Sequence, residues 1–374
     1  MGHRRRVISK TATTTLSLFV ALVIGEVFLR YYFNVVTYER TAAVDRIQRH
    51  LRPKPDIGFA WEPNVSYDER IVLAWADQDK ELAILCTDSW GFRNHPKASA
   101  DRRAGRPVDV VGVGDSFVEM AARPFYEYFA QRSLRYHSFA MHRQCTPQYN
   151  IILSRYALPL KPRFVLYGVF ENDFFELADY EAWRASGMDW FTYHSGYWCG
   201  PAYTESRFWR PKGYLALYQG ILPARYRKRR VQYIVDYALQ HTCDDIAKAQ
   251  KMCAAAEARL LVLLIPGRRT LFHGLEYTVK CYDHIATEMR RRDVAVMDLR
   301  PVILSHPEPR SLYYRKDGHW NLRGMRLVAS AVYRRLMYMK PSARPTTRQT
   351  GSGTSRPGPT TRRPRPLPSQ MPTG

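Results

Sequence analysis

Val108-Asp-Val-Val-Gly-Val-Gly-Asp-Ser-Phe117 brings together an apolar run, a glycine-bounded turn and a hydroxyl. A short stretch of β-branched residues bounded by turn signals reads as a buried strand of a parallel sheet. Gly112 and Gly114 permit a tight turn, and a helix is expected to begin near Phe117. Such a turn lifts Ser116 above the sheet edge, with its hydroxyl exposed and its own N–H beside it. A nucleotide-binding turn needs a GxGxxG pattern or a GK[ST] ending, and neither is present. Gly-Asp-Ser taken alone is a weak signal.

Outward from this stretch, strand and helix patterns alternate. Tyr136–Ala140, Phe164–Phe170, Leu260–Ile265 and Val294–Leu299 read as further short strands. Helical patterns cover Tyr149–Leu158, residues 240–258, Tyr282–Arg291 and Leu322–Met337. The alternation predicts an α/β fold with a central parallel sheet and helices on both faces. Residues 34–105 read as irregular, with turn signals at Pro53-Lys-Pro55, Glu62-Pro-Asn64 and Trp90-Gly91 and one short strand at Ala83–Cys86. An aromatic-rich insertion is expected from about 174 to 237, holding Trp183, Trp190, Trp198, Trp209 and the basic run Arg225–Arg230. It is read either as a lid with tryptophan faces for sugar rings or as a packed subdomain.

The chain has 374 residues, a formal charge of +23 and 45% hydrophobic residues, enough for one sizeable core plus appendages. The positive excess attracts anionic partners, yet no zinc-finger spacing or RNP-like strand accompanies it, so nucleic acid is not an expected partner. Arg4, Arg5, Arg6 and Lys10 precede an apolar segment whose only charge over Thr11–Leu29 is Glu26. As a helix it spans about 28 Å at ~1.5 Å per residue, near the ~30 Å of a bilayer core. The expectation is a cytoplasmic basic N-terminus over 1–10 and a transmembrane signal anchor over 11–33. A linker and extension over 34–105 would then lead to an extracytoplasmic catalytic domain over 106–340. Residues 341–374 are rich in Pro, Arg, Ser, Thr and Gly, and read as a disordered tail. The six cysteines form no CxxC pair, which leaves disulfides and buried free thiols both open.

Two more segments carry chemistry at predicted strand ends, the edge where open α/β sheets place their sites. Gly168-Val-Phe-Glu-Asn-Asp173 offers the Asn172 amide as a donor to an oxyanion, although Asn-Asp also suits a plain turn. Asp317-Gly-His-Trp-Asn-Leu-Arg-Gly324 sets a carboxylate two residues before an imidazole, so that Asp317 can reach His319 Nδ1 and leave Nε2 for a serine. A solvated loop is the plain alternative. No third ligand with metal spacing is nearby, and no metal or cofactor is expected.

The three segments, in this order, resemble the SGNH/GDSL hydrolase superfamily. Gly114, Asp115 and Ser116 match its first block, Asn172 and Asp173 its third, and Asp317 and His319 its fifth. Asp56–Pro63, Ser89–Arg93 and Leu264–Gly267 look like segments of its membrane-anchored members, and the resemblance spans about residues 56–338. It implies a flavodoxin-like three-layer sandwich in which Ser116, His319 and Asp317 form a catalytic triad. An oxyanion hole from Ser116, Asn172 and an N–H near Gln144 comes with it. Two departures stand out. The stretch Ala140–Tyr149, where the family's second block lends a glycine N–H, has no glycine. The pair is Asp-x-His rather than Asp-x-x-His and is followed by Trp320, which looks more like the alginate O-acetyltransferase-like branch. The resemblance implies a serine esterase or O-acyltransferase acting on ester groups, with acetyl on cell-surface or extracellular glycans as the expected substrate. A non-catalytic scaffold that binds polysaccharide is the alternative. Acyl group, acceptor and oligomeric state are not legible.

Overall fold

The computed structural model describes residues 13–25, 27, 50–68, 84–190, 237–274, 276–315 and 318–339. By its contacts the chain divides into a large unit, Met1–Ser342, and a small one, Ala343–Gly374, the latter outside the described residues.

The stretch upstream of Val108, expected to be irregular, opens with two hairpins. β1 (Leu51–Lys54) pairs antiparallel with β2 (Gly58–Trp61), and β3 (Ser66–Asp68) with β4 (Ile84–Cys86). Helix α1 (Pro96–Arg103) follows. Leu51, Ile57, Phe59, Trp61, Leu85 and Phe92 are all buried, so this stretch is core rather than tether. Of the four strands only β4 was expected, at Ala83–Cys86; β2 escaped the sequence reading because Phe59, Ala60 and Trp61 are buried without alternation.

The central sheet is assembled from β5 (Val110–Val113), β6 (Tyr136–Ser138), β7 (Phe164–Phe170), β8 (Arg259–Ile265) and β9 (Val296–Asp298). All four pairings are parallel and the spatial order is β6-β5-β7-β8-β9. All five coincide with strands expected from sequence. Side chains alternate between two apolar layers, as strand geometry demands. Val111, Val113, Val165, Tyr167, Val169, Leu260, Val262 and Leu264 face one layer, built from the hairpins and four helices. Those helices are α4 (Thr146–Ile152), α5 (Asp173–Ser186), α6 (Leu239–Ala255) and α8 (Glu276–Arg291). Val110, Phe164, Leu166, Leu261, Leu263 and Ile265 face the other. There they meet α2 (Ser116–Met120), α3 (Ala122–Ala130) and α10 (Leu322–Tyr338). Short helical turns α7 (Arg268–Phe272) and α9 (Arg300–Leu304) complete the connections. The fold is thus α/β with a central parallel sheet between two helical layers. Its first and third strands in chain order lie side by side, and the crevice between their C-terminal ends is the topological switch point.

Two expectations are revised, and a third is left without support. The helix expected from Tyr149 begins at Thr146, and past Ile152 it continues as a wider turn over Leu153–Ala157 and a tighter one over Leu158–Leu160. The start of the insertion is α5, a helix whose Phe174, Leu177 and Trp183 point into the core. Trp190 is buried too, edge-on to Trp183 at 5.1 Å and against Phe59 at 5.3 Å, so neither indole offers a free face to a sugar. Trp198, Trp209 and the basic run 225–230 lie outside the described residues. The membrane anchor over 11–33 finds no support. Residues 13–25 are helical, and among the described residues no helix is long and apolar enough to cross a membrane. No disulfide joins the described cysteines; Cys145, Cys243, Cys253 and Cys281 are buried thiols, while Cys86 is half-buried. Burial pushes the thiols of Cys243 and Cys253 up to about 12, which keeps them protonated.

Candidate active site

Ser116 sits at the first position of α2, immediately after β5. Asp115 holds the preceding cap position, and its Oδ1 accepts from the Phe117 N–H at 3.0 Å. That bond satisfies one orphan donor of the helix start and leaves the serine hydroxyl unspent. Val118, one turn on, packs onto the backbone at Gly114 and Gly168. A Cβ built at those glycines would fall 2.7 and 2.5 Å from Val118 Cγ2, so any larger residue would push the nucleophile helix off the sheet.

His319 arrives from the far end of the domain. Its loop is closed by the Tyr313–Trp320 bridge, by Tyr314 N–H on His319 O at 3.1 Å, and by Arg268, whose Nη1 donates to Tyr314 O at 3.1 Å. Asn321 caps α10 by accepting from Gly324 N, and donates to Ser311 O at 2.7 Å. Trp320 is buried edge-on against Phe117 at 4.9 Å, while the imidazole lies on the same ring at 4.6 Å. The result is a 2.7 Å hydrogen bond between Ser116 Oγ and His319 Nε2, bridging 203 residues of chain. Asp317, the expected third member, lies outside the described residues.

Asp115 contributes more than a cap. Its Oδ2 lies 3.3 Å from Ser116 Oγ, an alternative acceptor for the single hydroxyl proton that His319 Nε2 meets at 2.7 Å. Complete burial pushes its carboxyl up to about 6, against the pull of nearby His319 and the Phe117 N–H. The sequence reading placed Asp115 only as motif support; its position within reach of the nucleophile emerges from the fold.

The three candidate oxyanion contributors lie in separate segments. Ser116 supplies its own N–H from the start of α2. Asn172 occupies the N-cap position of α5, after β7, without a side-chain capping bond, and its Nδ2 donates to Glu176 Oε1 at 3.0 Å. The sequence offered this amide either as an oxyanion donor or as part of a plain turn; Glu176 engages one of its two hydrogens. Burial pushes the Glu176 carboxyl well above the usual range, with Arg143 opposing. Asp173 beside it is fully buried, accepts from Tyr149 Oη at 2.8 Å and from Phe170 N at 3.1 Å, and is likewise pushed up by burial and by Asp115. Gln144 is buried with its side chain turned away, Nε2 donating to Ile57 O and Phe59 O at 3.1 and 3.2 Å. Around it, the N–H groups of Met141, His142 and Cys145 are committed to Gly114 O, Glu119 and Gln148. The Gln144 N–H remains the candidate oxyanion donor of this stretch. The turn needs no glycine because Arg143 takes the left-handed conformation itself, at φ 56°.

Among the described residues no group of three or more His, Cys, Asp or Glu side chains is placed to hold a metal ion. What the site does hold is a serine hydroxyl in contact with an imidazole at a sheet rim, the equipment for nucleophilic attack on a carbonyl.

A family model described as the SGNH hydrolase-like domain of the acetyltransferase AlgX matches residues 229–372. That stretch carries His319 and Asp317 but not Ser116. No curated protein matches the chain. A GDSL-like lipase from Bacteroides thetaiotaomicron superposes on 64% of this chain and 96% of its own, at 13% identity and a TM-score of 0.39. A lipase/acylhydrolase from Enterococcus faecalis covers 63% and 99% at 11% identity, TM-score 0.37. An acetyl xylan esterase covers 61% and 100% at 13% identity, TM-score 0.39. The family match thus lies in the second part of the chain and includes His319, whose ring meets Ser116 from the first part.

Proposed function

We propose that this protein is a serine-dependent esterase or O-acyltransferase acting on acetyl esters of glycans, with Ser116 as nucleophile and His319 as general base. The observation that carries the reading is the 2.7 Å contact between Ser116 Oγ and His319 Nε2. For that nitrogen to accept the hydroxyl proton, the ring proton must reside on Nδ1, and Asp317 is the group assigned to hold it there. Attack of Oγ on the ester carbonyl then forms the new C–O bond as the proton passes to Nε2. The Ser116 N–H, the Asn172 amide and the Gln144 N–H receive the charge on the carbonyl oxygen. Collapse expels the alcohol, which takes the proton from His319 and leaves an acyl-serine. Water, or a sugar hydroxyl activated by the same imidazole, releases the acyl group. The acetyltransferase named by the matching family model, and Trp320 directly after the Asp-x-His pair, favour transfer over hydrolysis.

The test is labelling with a fluorophosphonate probe, followed by turnover of a chromogenic acetyl ester. Wild type should be labelled at Ser116, and Ser116→Ala should lose the label and at least ~1,000-fold of its turnover. An unlabelled wild type, or a Ser116→Ala variant of normal activity, would remove the serine mechanism and favour a scaffold that only binds polysaccharide. Supplying a glycan acceptor separates the two enzyme readings: acetylated glycan means transfer, free acetate alone means hydrolysis.

A further inference from the structure

Glu119 is a carboxylate where the apolar segment Phe117-Val-Glu-Met120 leads one to expect another hydrophobic side chain. It lies three residues after Ser116 on the same short helix and is only 3% exposed. Burying a carboxylate is costly unless hydrogen bonds and charge repay it. Here Oε1 accepts from the Trp61 indole N–H at 2.5 Å. Oε2 accepts from both the His142 main-chain N–H, at 2.7 Å, and the His142 ring Nδ1, at 2.9 Å. The imidazole is held between Phe59 and Trp61, at ring distances of 5.3 and 5.1 Å. Burial alone would push the carboxyl up, but His142, Arg93 and the Trp61 N–H outweigh it and hold Glu119 below the usual range. Its charge is therefore kept.

Three segments far apart in sequence meet at this one group: the nucleophile helix, the β1–β2 hairpin and the turn before α4. That turn carries the Gln144 N–H two residues beyond His142, and Met141 N anchors it a second time on Gly114 O at 3.0 Å. We propose that Glu119 is a positioning residue of the ester site, one that fixes the 141–145 turn against the nucleophile helix so that the Gln144 N–H is set relative to Ser116. Glu119 does not itself touch the reacting atoms. It acts through the loop, and His142, with its Nδ1–H spent on Glu119, forms a carboxylate–imidazole pair with it. This inference rests on the proposed serine mechanism.

The experiment compares the full chain with its Glu119→Gln variant, which keeps the shape but sets an NH2 group against N–H donors. Fluorophosphonate labelling rate, kcat, KM and thermal unfolding are measured together. Glu119→Gln is expected to lower kcat and the labelling rate by about 100-fold, with KM within about 3-fold, because a misplaced donor is felt in the transition state and not in substrate binding. A folded Glu119→Gln protein that is labelled at the wild-type rate overturns the proposal. So does a variant that melts earlier yet keeps its kcat, since that marks a merely structural role. If Glu119→Gln does not fold, His142→Ala decides. It retains the main-chain bond to Glu119 and is expected to cost about 10-fold in kcat, and an unchanged kcat again refutes the idea. An unlabelled wild type would defeat the serine mechanism and this inference together; a labelled wild type with an unimpaired Glu119→Gln defeats this inference alone.

Discussion

The ends of β5 and β7 face each other across the switch point and begin alike. Each strand ends near a glycine pressed against Val118, and each leads directly into a helix. Their polar residues are then treated differently. After β5, Asp115 absorbs the local hydrogen-bond demand by capping Phe117, and the next side chain, Ser116, is left to meet His319. After β7, Asp173 takes the Phe170 N–H and the Tyr149 hydroxyl, while Asn172 is drawn to Glu176 one turn along its own helix. The same backbone frame thus presents a reactive group at one rim and a restrained one at the other. Which neighbour satisfies the helix start decides what remains available for chemistry.

Three measurements break or sharpen that contrast. The largest effect is expected from His319→Ala, which removes the group that gives the first rim its reactivity. Turnover of an acetyl ester should fall by at least ~1,000-fold without loss of fold. Asn172→Ala should lower kcat by about 100-fold with KM little changed, if its second amide hydrogen serves the oxyanion. An unaltered kcat would mean that Asn172 only restrains Glu176, and the rims would then differ in kind.

The smallest effect concerns stability. Burial lifts Asp115 from an ordinary 3.8 to about 6. The folded protein thus holds that proton more tightly than the unfolded chain does. Its stabilising contribution is complete below pH 3.8 and is lost as pH rises through about 6. Asp115→Asn, which can still cap Phe117 through its amide oxygen, should flatten the fall of stability across that window by the equivalent of one proton. Chemical unfolding at several pH values reads this directly. A slope equal to wild type would show that Asp115 stays ionised when buried.

Much of this frame was legible in the residues. Compact runs such as Val165–Val169 and Leu260–Leu264 announce buried parallel strands, because only a strand covered on both faces tolerates so continuous an apolar sequence. Of the hairpins ahead of the sheet only the strand at Ala83–Cys86 was legible, since Ile57, Phe59 and Trp61 owe their burial to partners distant in sequence. Glu119 left one faint mark, an acid within an apolar helix, and its partners Trp61 and His142 could not be read from it. Hydropathy over 11–33 invited a membrane span, and part of that segment lies outside the described residues, among which no helix is long and apolar enough for one.

Local order determined the strand ends, the nucleophile turn and the identity of the serine and the imidazole, because periodicity and turn chemistry act over a few residues. Tertiary structure alone decided that Ser116 and His319 touch and that Asp115 lies within reach of the nucleophile. It also decided that the amides of Asn172 and Gln144 already have partners. Hydrogen bonds form wherever folding brings donor and acceptor within reach, and no pattern along the chain records those distances.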